Sequence, residues 1–389
     1  MKKYPHLFYV FAVVVMLGLG FGLRLYAANR LAVDHDETTY LIASNTYANY
    51  IRNGQYSWLA WEKWNYEHPS LNKIIFGVAL LTQEPLEKVQ QSDLIDGGPI
   101  KQQQAVEYAM TARTVSVIFG SLAVLLLSLL NPLAGLFLAV NTLAIKYTSE
   151  VYLEALPMLA SLLAVMAYSR FFQCYTNKSH NPAKAWRWLA LSAISLGITA
   201  ASKYIYCVAG LAIVLHWIIS ILQKKIPVRT LIALLVWGFF SILIFFLFDP
   251  YLWVHTIERL QKTLAYHFRF QVSPHVINAN YPFWQPLAWL FSPFSTYRPI
   301  HDPSADDAML FSIDSIIFVL AIIGLPRTFK RHQIFFIWLV IGLGMLLLWG
   351  AKWSQYPLII MAPWCFSAAQ GVLTIVDFFK VKLFKKNVA

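Results

Sequence analysis

Three acidic residues and a histidine form the densest group of reactive side chains in the sequence, Asp34-His35-Asp36-Glu37, directly after the first long apolar segment. An unpaired carboxylate is costly at or inside a membrane, so each of these groups must be solvated, paired or functional. Acids at a helix start favour the helix dipole, which explains one or two of them but not three with a histidine between them. The group therefore predicts a functional site.

A second acidic pair, Glu150 and Glu154, lies at the start of a later apolar segment. Residues four apart share one face of a helix, one turn from each other. A helix cap accounts for one carboxylate at such a position but not for the deeper Glu154. The pair predicts a second functional position, with Glu154 the stronger candidate.

Cationic and aromatic residues recur at the ends of other apolar segments. In the segment Tyr66–Lys73, Pro69 is expected to start a surface helix that places His68 near the membrane. Lys203, between two apolar segments, fits either a lysine that extends its ammonium to the interface or a phosphate contact. The remaining candidates are Arg269, His267, His275, Lys352 and Tyr356.

The composition identifies the bilayer as the medium in which the chain folds. Of its 389 residues, 58% are hydrophobic and 13% charged, against about 25% charged in soluble domains. The net charge of +12 does not indicate nucleic-acid binding, because about half of the 31 lysines and arginines fall in short loops between apolar segments. We therefore expect an all-α polytopic membrane protein.

Apolar stretches of about 20 residues, the length that crosses a bilayer as a helix, predict about ten transmembrane helices in one membrane domain, residues 1–389. The predicted spans are Leu7–Ala27, Thr111–Leu130, Leu133–Tyr147, Val151–Phe171, Trp188–Ser202, Tyr204–Leu222, Thr230–Phe248, Ile313–Phe329, Phe335–Gly350 and Leu358–Phe378.

The charges orient these spans. With both termini in the cytoplasm, every sizeable inner loop is basic, and all but one of the 19 acidic residues, Asp377, fall outside. Residues 28–110 then form a first outer loop and residues 249–312 a second. In the first, residues 36–50 predict an amphipathic helix with Asp36 as N-cap and Tyr40, Ala43 and Tyr47 on one stripe, and 73–81 a second surface helix.

Several common cofactor motifs are missing from the sequence. It has neither a GxxxxGK[ST] phosphate loop nor a GxGxxG turn, so no nucleotide cofactor is expected. It also has no HExxH zinc motif. A divalent metal stays open.

Asp36-Glu37 with Tyr40, followed by His68-Pro69-Ser70-Leu71 and Lys73, resembles the first outer loop of protein O-mannosyltransferases and bacterial aminoarabinose transferases. These enzymes belong to glycosyltransferase superfamily C. Their pattern is an Asp-Glu pair after the first span, then His-Pro-Pro-Leu with a nearby lysine. Ser70 stands where the pattern has its second proline. Arg113 and Glu154 are also similar to family positions.

The resemblance implies transfer of a sugar, of hexosyl or mannosyl type, from a polyprenyl-phosphate donor to an acceptor hydroxyl on a protein, lipid or glycan. The reaction would take place at the outer face of a bacterial or archaeal cell membrane. Asp36 would be the base of an inverting transfer, with Glu37 orienting it. Glu154 or Glu150 would bind acceptor or a divalent metal. The phosphate charge would be met by Lys203, Arg269, His275 and Lys352.

Other functions stay open on the sequence alone. A transporter or lipid flippase would explain many spans and intramembrane charges. A hydrolase of lipid-phosphate sugars would use water as acceptor, and an assembly factor would use its outer loops to bind a partner. The grouping of the acids at one surface favours the transferase.

The charge map predicts which loops a membrane-impermeant thiol reagent reaches. After replacement of the three native cysteines, Gln90→Cys and Asn278→Cys should be labelled in intact cells. Lys178→Cys and Lys225→Cys should be labelled only after lysis. Labelling of the latter two in intact cells would invert the map.

Overall fold

The computed structural model describes residues 5–62, 64–85, 99–176, 182–293 and 312–386, and within these ranges the chain is helical without strands. The α-helices are α1 (Pro5–Arg30), α2 (His35–Arg52), α3 (Leu71–Leu80), α4 (Pro99–Leu130), α5 (Pro132–Val140), α6 (Thr142–Tyr147), α7 (Ala155–Thr176), α8 (Pro182–Ser202), α9 (Val208–Leu222), α10 (Leu231–Phe248), α11 (Thr256–Phe270), α12 (Pro274–Ala279), α13 (Gln285–Phe291), α14 (Asp314–Arg331), α15 (Gln333–Leu348) and α16 (Met361–Lys386). Short 3₁₀ helices occupy Tyr56–Ala60, Tyr204–Cys207, Val228–Thr230, Pro250–Trp253 and Tyr356–Ile360.

The predicted polytopic architecture is confirmed. Six segments are long and apolar enough to cross a membrane: Leu7–Arg30, Glu107–Leu130, Ala155–Thr176, Tyr204–Leu222, Val228–Phe248 and Tyr356–Lys380. Helices α8, α14 and α15, with the α5–α6 pair, complete about ten passes. They pack against these spans, α8 on α7 and α10, α14 on α16, α15 on α9 and α5 on α4. Asp36, Glu37 and Glu154 gather at one end of the bundle, here called the acidic end.

The third predicted span, Leu133–Tyr147, is not one continuous helix. It breaks at Asn141, whose side-chain oxygen caps α6 by accepting from the Ala144 N–H at 2.9 Å. Asp314 accepts from the Asn141 amide nitrogen at 2.6 Å. Arg24 donates to the Leu138 carbonyl at 3.2 Å. A helix can break at membrane depth when protein groups satisfy the freed backbone in this way.

Two predicted helix starts also differ from the structure. The span predicted from Val151 begins at Ala155, because the Val151 N–H donates to Glu37 instead of continuing a helix. The N-cap of α2 is Asp34 rather than Asp36: Asp34 accepts from the Asp36 N–H while Glu37 accepts from the Asp34 N–H, which forms a capping box.

The two helices of the first predicted outer loop pack on each other as well as on the spans. Tyr40 and Tyr47, from the predicted stripe of α2, are buried in the protein. A Cβ at Gly77 of α3 would lie 2.7 Å from the Ser44 carbonyl oxygen, so the close approach of α2 and α3 requires glycine there. Exposed aromatic rings beside them suit the membrane interface: Tyr56, Trp58, Trp61 and Trp64.

The second predicted outer loop, residues 249–312, is described as far as residue 293. Its helix α11 turns Thr263 and His267 towards the first loop and leaves Ile257, Leu264 and Phe268 exposed. The loop therefore lies against the motif that begins at Tyr66. Residues 86–98 of the first loop and 177–181 between α7 and α8 lie outside the described part of the chain.

Candidate active site

A buried ion pair between Glu37 and Arg113 is the centre of the acidic end. The Arg113 guanidinium donates twice to the carboxylate, from Nε at 2.8 Å and from Nη2 at 2.5 Å. The Glu37 and Arg113 side chains are 0% and 3% exposed. The Glu37 oxygens also accept from the backbone N–H groups of Asp34, at 2.9 Å, and Val151, at 2.6 Å. The two oxygens of Glu37 thus accept from four donors.

The remaining donors of Arg113 close the end of α1. Nη1 donates to the carbonyls of Ala28, at 2.7 Å, and Leu31, at 2.8 Å, and Nη2 donates to Ala32 at 3.0 Å. The last carbonyls of a helix lack partners within the helix. Arg113 thus joins the end of α1 to the start of α2.

Asp34 is also held in place. One of its oxygens accepts from the Tyr152 hydroxyl at 2.8 Å and caps α2, and the other lies 3.8 Å from the Lys146 ammonium. Its carboxylate is therefore committed to the start of α2.

Asp36, in the first turn of α2, is partly exposed and lies among tyrosines from three segments. Burial and the Asp36 charge raise the pKa of Tyr40 and of Tyr152 well above the usual value. Burial, then Glu67, Tyr66 and finally Asp36, raise the pKa of Tyr266 to about 12. Asp36 thus lies close to Tyr40 and Tyr266, which belong to the two predicted outer loops.

Glu154 and Lys203 form a second buried ion pair, with side chains 1% and 5% exposed. The Tyr206 hydroxyl donates to the other Glu154 oxygen at 2.7 Å, and the Lys203 ammonium lies 5.7 Å from the ring centroid of Tyr356. The two residues predicted to serve an acceptor or metal and the donor phosphate therefore neutralise each other.

Glu150 does not share a helix face with Glu154, because residues 150–154 are irregular. It is 1% exposed and its Oε2 has no hydrogen-bond partner among the described residues. Burial raises its pKa well above the usual value, against the opposing charge of Lys146. In the described ranges, no three His, Cys, Asp or Glu side chains are grouped as metal ligands.

His68 is presented by a loop whose backbone is held from both sides. The buried Lys73 ammonium donates to the carbonyls of Asn65, at 2.6 Å, and His68, at 2.8 Å, and burial lowers the pKa of Lys73 to about 8. The His68 ring lies 6.0 Å from that of Tyr40 and 5.8 Å from that of His267. Burial, followed by the charges of Lys203, His267 and Lys73, keeps the pKa of His68 well below its usual value, so the ring is neutral at pH 7.

A cleft of about 400 Å³ opens beside this loop, lined by Tyr66, Tyr266, Phe270, Ser273, Lys262 and Arg269. The rings of Tyr266 and Phe270 stack at 5.9 Å. The Lys262 ammonium lies 4.5 Å from the Tyr66 ring centroid. Arg269 is exposed and makes no ion pair with any described residue. The cleft therefore joins a stacked aromatic surface to a guanidinium.

A neighbouring cleft of about 250 Å³ is lined by Lys352 and Trp353. His275 packs on Trp353 with ring centroids 4.9 Å apart. The Lys352 ammonium donates to the carbonyls of Trp349 and, at 3.2 Å, Leu347, where it caps α15. Lys352 therefore has a structural task.

The structure thus brings Asp36, Tyr40, His68 and the Glu154–Lys203 pair into one group. Sequence reasoning missed the tyrosines that complete it, Tyr152, Tyr206 and Tyr266. It also missed Asp249 and Thr263. These residues lie far along the chain from the motif they contact, and a tyrosine at the end of a span is also typical of an aromatic belt.

No family model matches the sequence, and no curated protein does. Among solved structures, the aminoarabinose transferase ArnT of Cupriavidus metallidurans is similar in its apo state, with TM-score 0.57, 13% identity and coverage of 95% of this chain and 60% of that one. The same protein bound to undecaprenyl phosphate is similar with a TM-score of 0.54 and 12% identity. The match covers 95% of this chain and 60% of that one. The apo form of the Archaeoglobus fulgidus oligosaccharyltransferase has a TM-score of 0.58 and 11% identity. This match covers 100% of this chain and 53% of that one.

The chain therefore shares its fold with ArnT and with the archaeal oligosaccharyltransferase, and the fold expected from the first-loop resemblance is confirmed. It spans 60% of the length of the ArnT chains. At these identities the likeness concerns the fold.

The Glu37–Arg113 pair predicts a large stability effect. Glu37→Ala leaves a buried guanidinium without its counter-ion, which costs roughly 3–5 kcal/mol when one partner of such a pair is removed. Thermal unfolding of the purified protein in detergent should show a strongly lowered midpoint.

The matched control is the pair between Arg327 and Asp377, joined at 2.6 Å, in which Asp377 is 56% exposed. Asp377→Ala should leave the midpoint nearly unchanged, because solvent screens an exposed pair. Equal shifts in both variants would contradict the central role of the buried pair.

Proposed function

We propose that this protein is a membrane glycosyltransferase that moves a sugar from a polyprenyl-phosphate donor to an acceptor hydroxyl. The observation that carries the proposal is the partial exposure of Asp36 in the first turn of α2, next to the buried Glu37. Glu37 is saturated by Arg113 and backbone donors, Asp34 caps α2, and Glu154 is paired with Lys203. The Asp36 charge acts on Tyr40 and Tyr266, which belong to the two predicted outer loops.

Asp36 is the base in this proposal. As the acceptor oxygen bonds to the anomeric carbon of the donor sugar, the Asp36 carboxylate takes the hydroxyl proton. The bond from that carbon to the phosphate oxygen breaks, and the lipid phosphate leaves with the electron pair. A single base opposite the leaving group gives inversion. Glu37 and Arg113 fix the start of α2 and so the position of Asp36.

Arg269 is the proposed contact to the donor phosphate. The negative charge on the leaving phosphate grows during transfer and must be met by fixed cations. Lys203 is neutralised by Glu154, and Lys352 caps α15. Arg269 makes no ion pair among the described residues, lines the cleft beside the His68 loop, and suits bidentate phosphate binding, with Lys262 beside it.

The charge distribution supports the outer face as the place of reaction. In the predicted topology, the basic loops lie on the side of the membrane opposite Asp36. The positive-inside rule assigns the side with the basic loops to the cytoplasm. The likeness to a transferase solved with bound undecaprenyl phosphate supports a polyprenyl-phosphate donor. A hexosyl or mannosyl sugar, and an acceptor on a protein, lipid or glycan, follow from the first-loop resemblance.

Asp36→Asn tests the base. The amide keeps the shape of the side chain but does not accept the proton, so transfer of labelled sugar should fall by roughly 10²–10⁴-fold. Initial rates in vesicles with a polyprenyl-phosphate sugar measure it at matched protein levels.

Asp34→Asn is the control, because asparagine caps a helix as well as aspartate. It should lose far less activity than Asp36→Asn. Similar losses in the two variants would remove Asp36 from the role of base, and wild-type protein that transfers no sugar from any such donor would refute the proposed function.

Arg269→Ala tests the phosphate contact. A hydrogen bond to a charged group contributes about 1.5–3 kcal/mol, so use of the donor should weaken by roughly tenfold to 150-fold. Arg269→Lys should recover part of the loss, since the charge remains while the fork geometry is lost. Rates measured against donor concentration give the effect.

Arg30→Ala is the matched control, an exposed arginine at the end of α1 that lies 5.8 Å from the Tyr26 ring. Its kinetics should stay close to those of the wild type. Donor kinetics in Arg269→Ala that equal those of Arg30→Ala would place the phosphate elsewhere.

A further inference from the structure

The loop that carries His68 has an unusually complete set of side-chain contacts to its backbone. Four consecutive carbonyls, those of residues 65–68, each accept from a side chain. The Lys73 ammonium donates to the carbonyls of residues 65 and 68, at 2.6 and 2.8 Å. Thr263 and His267, both on α11, donate to the carbonyls of residues 66 and 67, at 3.3 and 2.8 Å respectively.

The end of this loop is fixed by a carboxylate from another part of the chain. The backbone N–H of Ser70 donates to Asp249 Oδ1 at 3.1 Å, across 179 residues of sequence. Ser70 and Asp249 are 1% and 0% exposed. Asp249 lies at the C-terminal end of α10, and Ser70 is the N-cap of α3. The bond thus joins a span to the start of a surface helix.

This contact depends on the residue at position 70. A proline has no backbone N–H and could not donate. Ser70 stands where the motif that it resembles has proline, so here the hydrogen bond to Asp249 replaces the restraint of a ring. Ser70 has φ −82° and ψ −24°, close to the φ of about −65° that proline fixes.

Asp249 is costly to keep at this place. Burial raises the pKa of its carboxyl, while Ser70 and Lys73 oppose the shift. Its Oδ2 has no hydrogen-bond partner among the described residues. A buried carboxylate with one unpaired oxygen costs free energy unless its contacts have a use. The charges of Lys73 and Asp249 each oppose the shift that burial imposes on the pKa of the other residue.

We infer that Asp249 is a positioning residue of the transferase: through the Ser70 N–H it fixes the loop that turns His68 towards Tyr40 and the reaction space. The inference rests on the proposed function. Its physical basis is that the rate of a reaction depends strongly on the positions of the reacting groups. A displacement of about 1 Å can lower the rate about a hundredfold. Asp249 does this without touching the substrate.

The test is a double-mutant cycle on full-length protein in lipid nanodiscs. Asp249→Leu removes the acceptor, and kcat should fall by roughly tenfold to a hundredfold with little change in the KM for donor. Asp249→Asn keeps an oxygen acceptor and should retain most of the activity. Ser70→Ala keeps the N–H and should lose little, which separates the backbone contact from the hydroxyl.

Ser70→Pro is the second variant of the cycle, because it removes the N–H through which Asp249 is inferred to act. Combining it with Asp249→Leu measures the coupling between the two residues. In that background, Asp249→Leu should cause almost no further loss of kcat. An equal loss in the wild-type and Ser70→Pro backgrounds would overturn the inference, because Asp249 would then act through another contact. A raised KM for the donor with unchanged kcat would overturn the inference as well.

Hydrogen exchange gives a readout that does not need catalysis. Asp249→Leu should speed exchange in the peptide covering residues 66–74 while α9 and α16 stay protected. Unchanged exchange in that peptide would also overturn the inference. If the wild type transfers no sugar, the proposed function fails, but the exchange data still decide whether Asp249 holds the loop.

Discussion

The buried guanidinium of Arg113 is the constraint on which the acidic end depends. A charge without water is tolerated only when partners satisfy nearly all of its donors. Arg113 obtains them from Glu37 and from three carbonyls at the end of α1. Glu37 in turn needs the N–H groups of Asp34 and Val151. Three chain segments must therefore meet in one arrangement, and the direction of Asp36, one residue before Glu37, follows from it.

Two other buried carboxylates, those of Glu154 and Asp314, obey the same rule, and this separates structure from chemistry. Glu154 is satisfied by Lys203 and Tyr206, and Asp314 by the polar groups that flank the break between α5 and α6. Such groups cannot easily exchange partners during a reaction, since breaking a buried pair is strongly destabilising. The Asp36 carboxylate and the Arg269 guanidinium, by contrast, keep access to solvent. Chemistry is therefore expected where burial is incomplete.

The spans and the first-loop motif could be predicted because their signals are local. A run of apolar residues needs no distant partner, and positive charge in a short loop is read from the loop itself. The break at Asn141 could not be predicted, since Arg24 and Asp314, which stabilise it, lie more than a hundred residues away on either side. For the same reason the sequence presented Lys203 and Glu154 as separate sites, although they form one neutral pair.

The broken helix also bears on the choice between a transferase and a transporter. Secondary transporters place their substrate near the bilayer midplane between paired discontinuous helices, whose free ends bind the cargo. Here the freed groups between α5 and α6 are occupied by the side chains of Asn141, Asp314 and Arg24. No second transmembrane helix of the described ranges is split in this manner. A break whose groups are already satisfied leaves no free helix end to bind a cargo. The proposed transferase instead needs a fixed carboxylate at the acidic end of the bundle, whereas alternating access requires two halves that move.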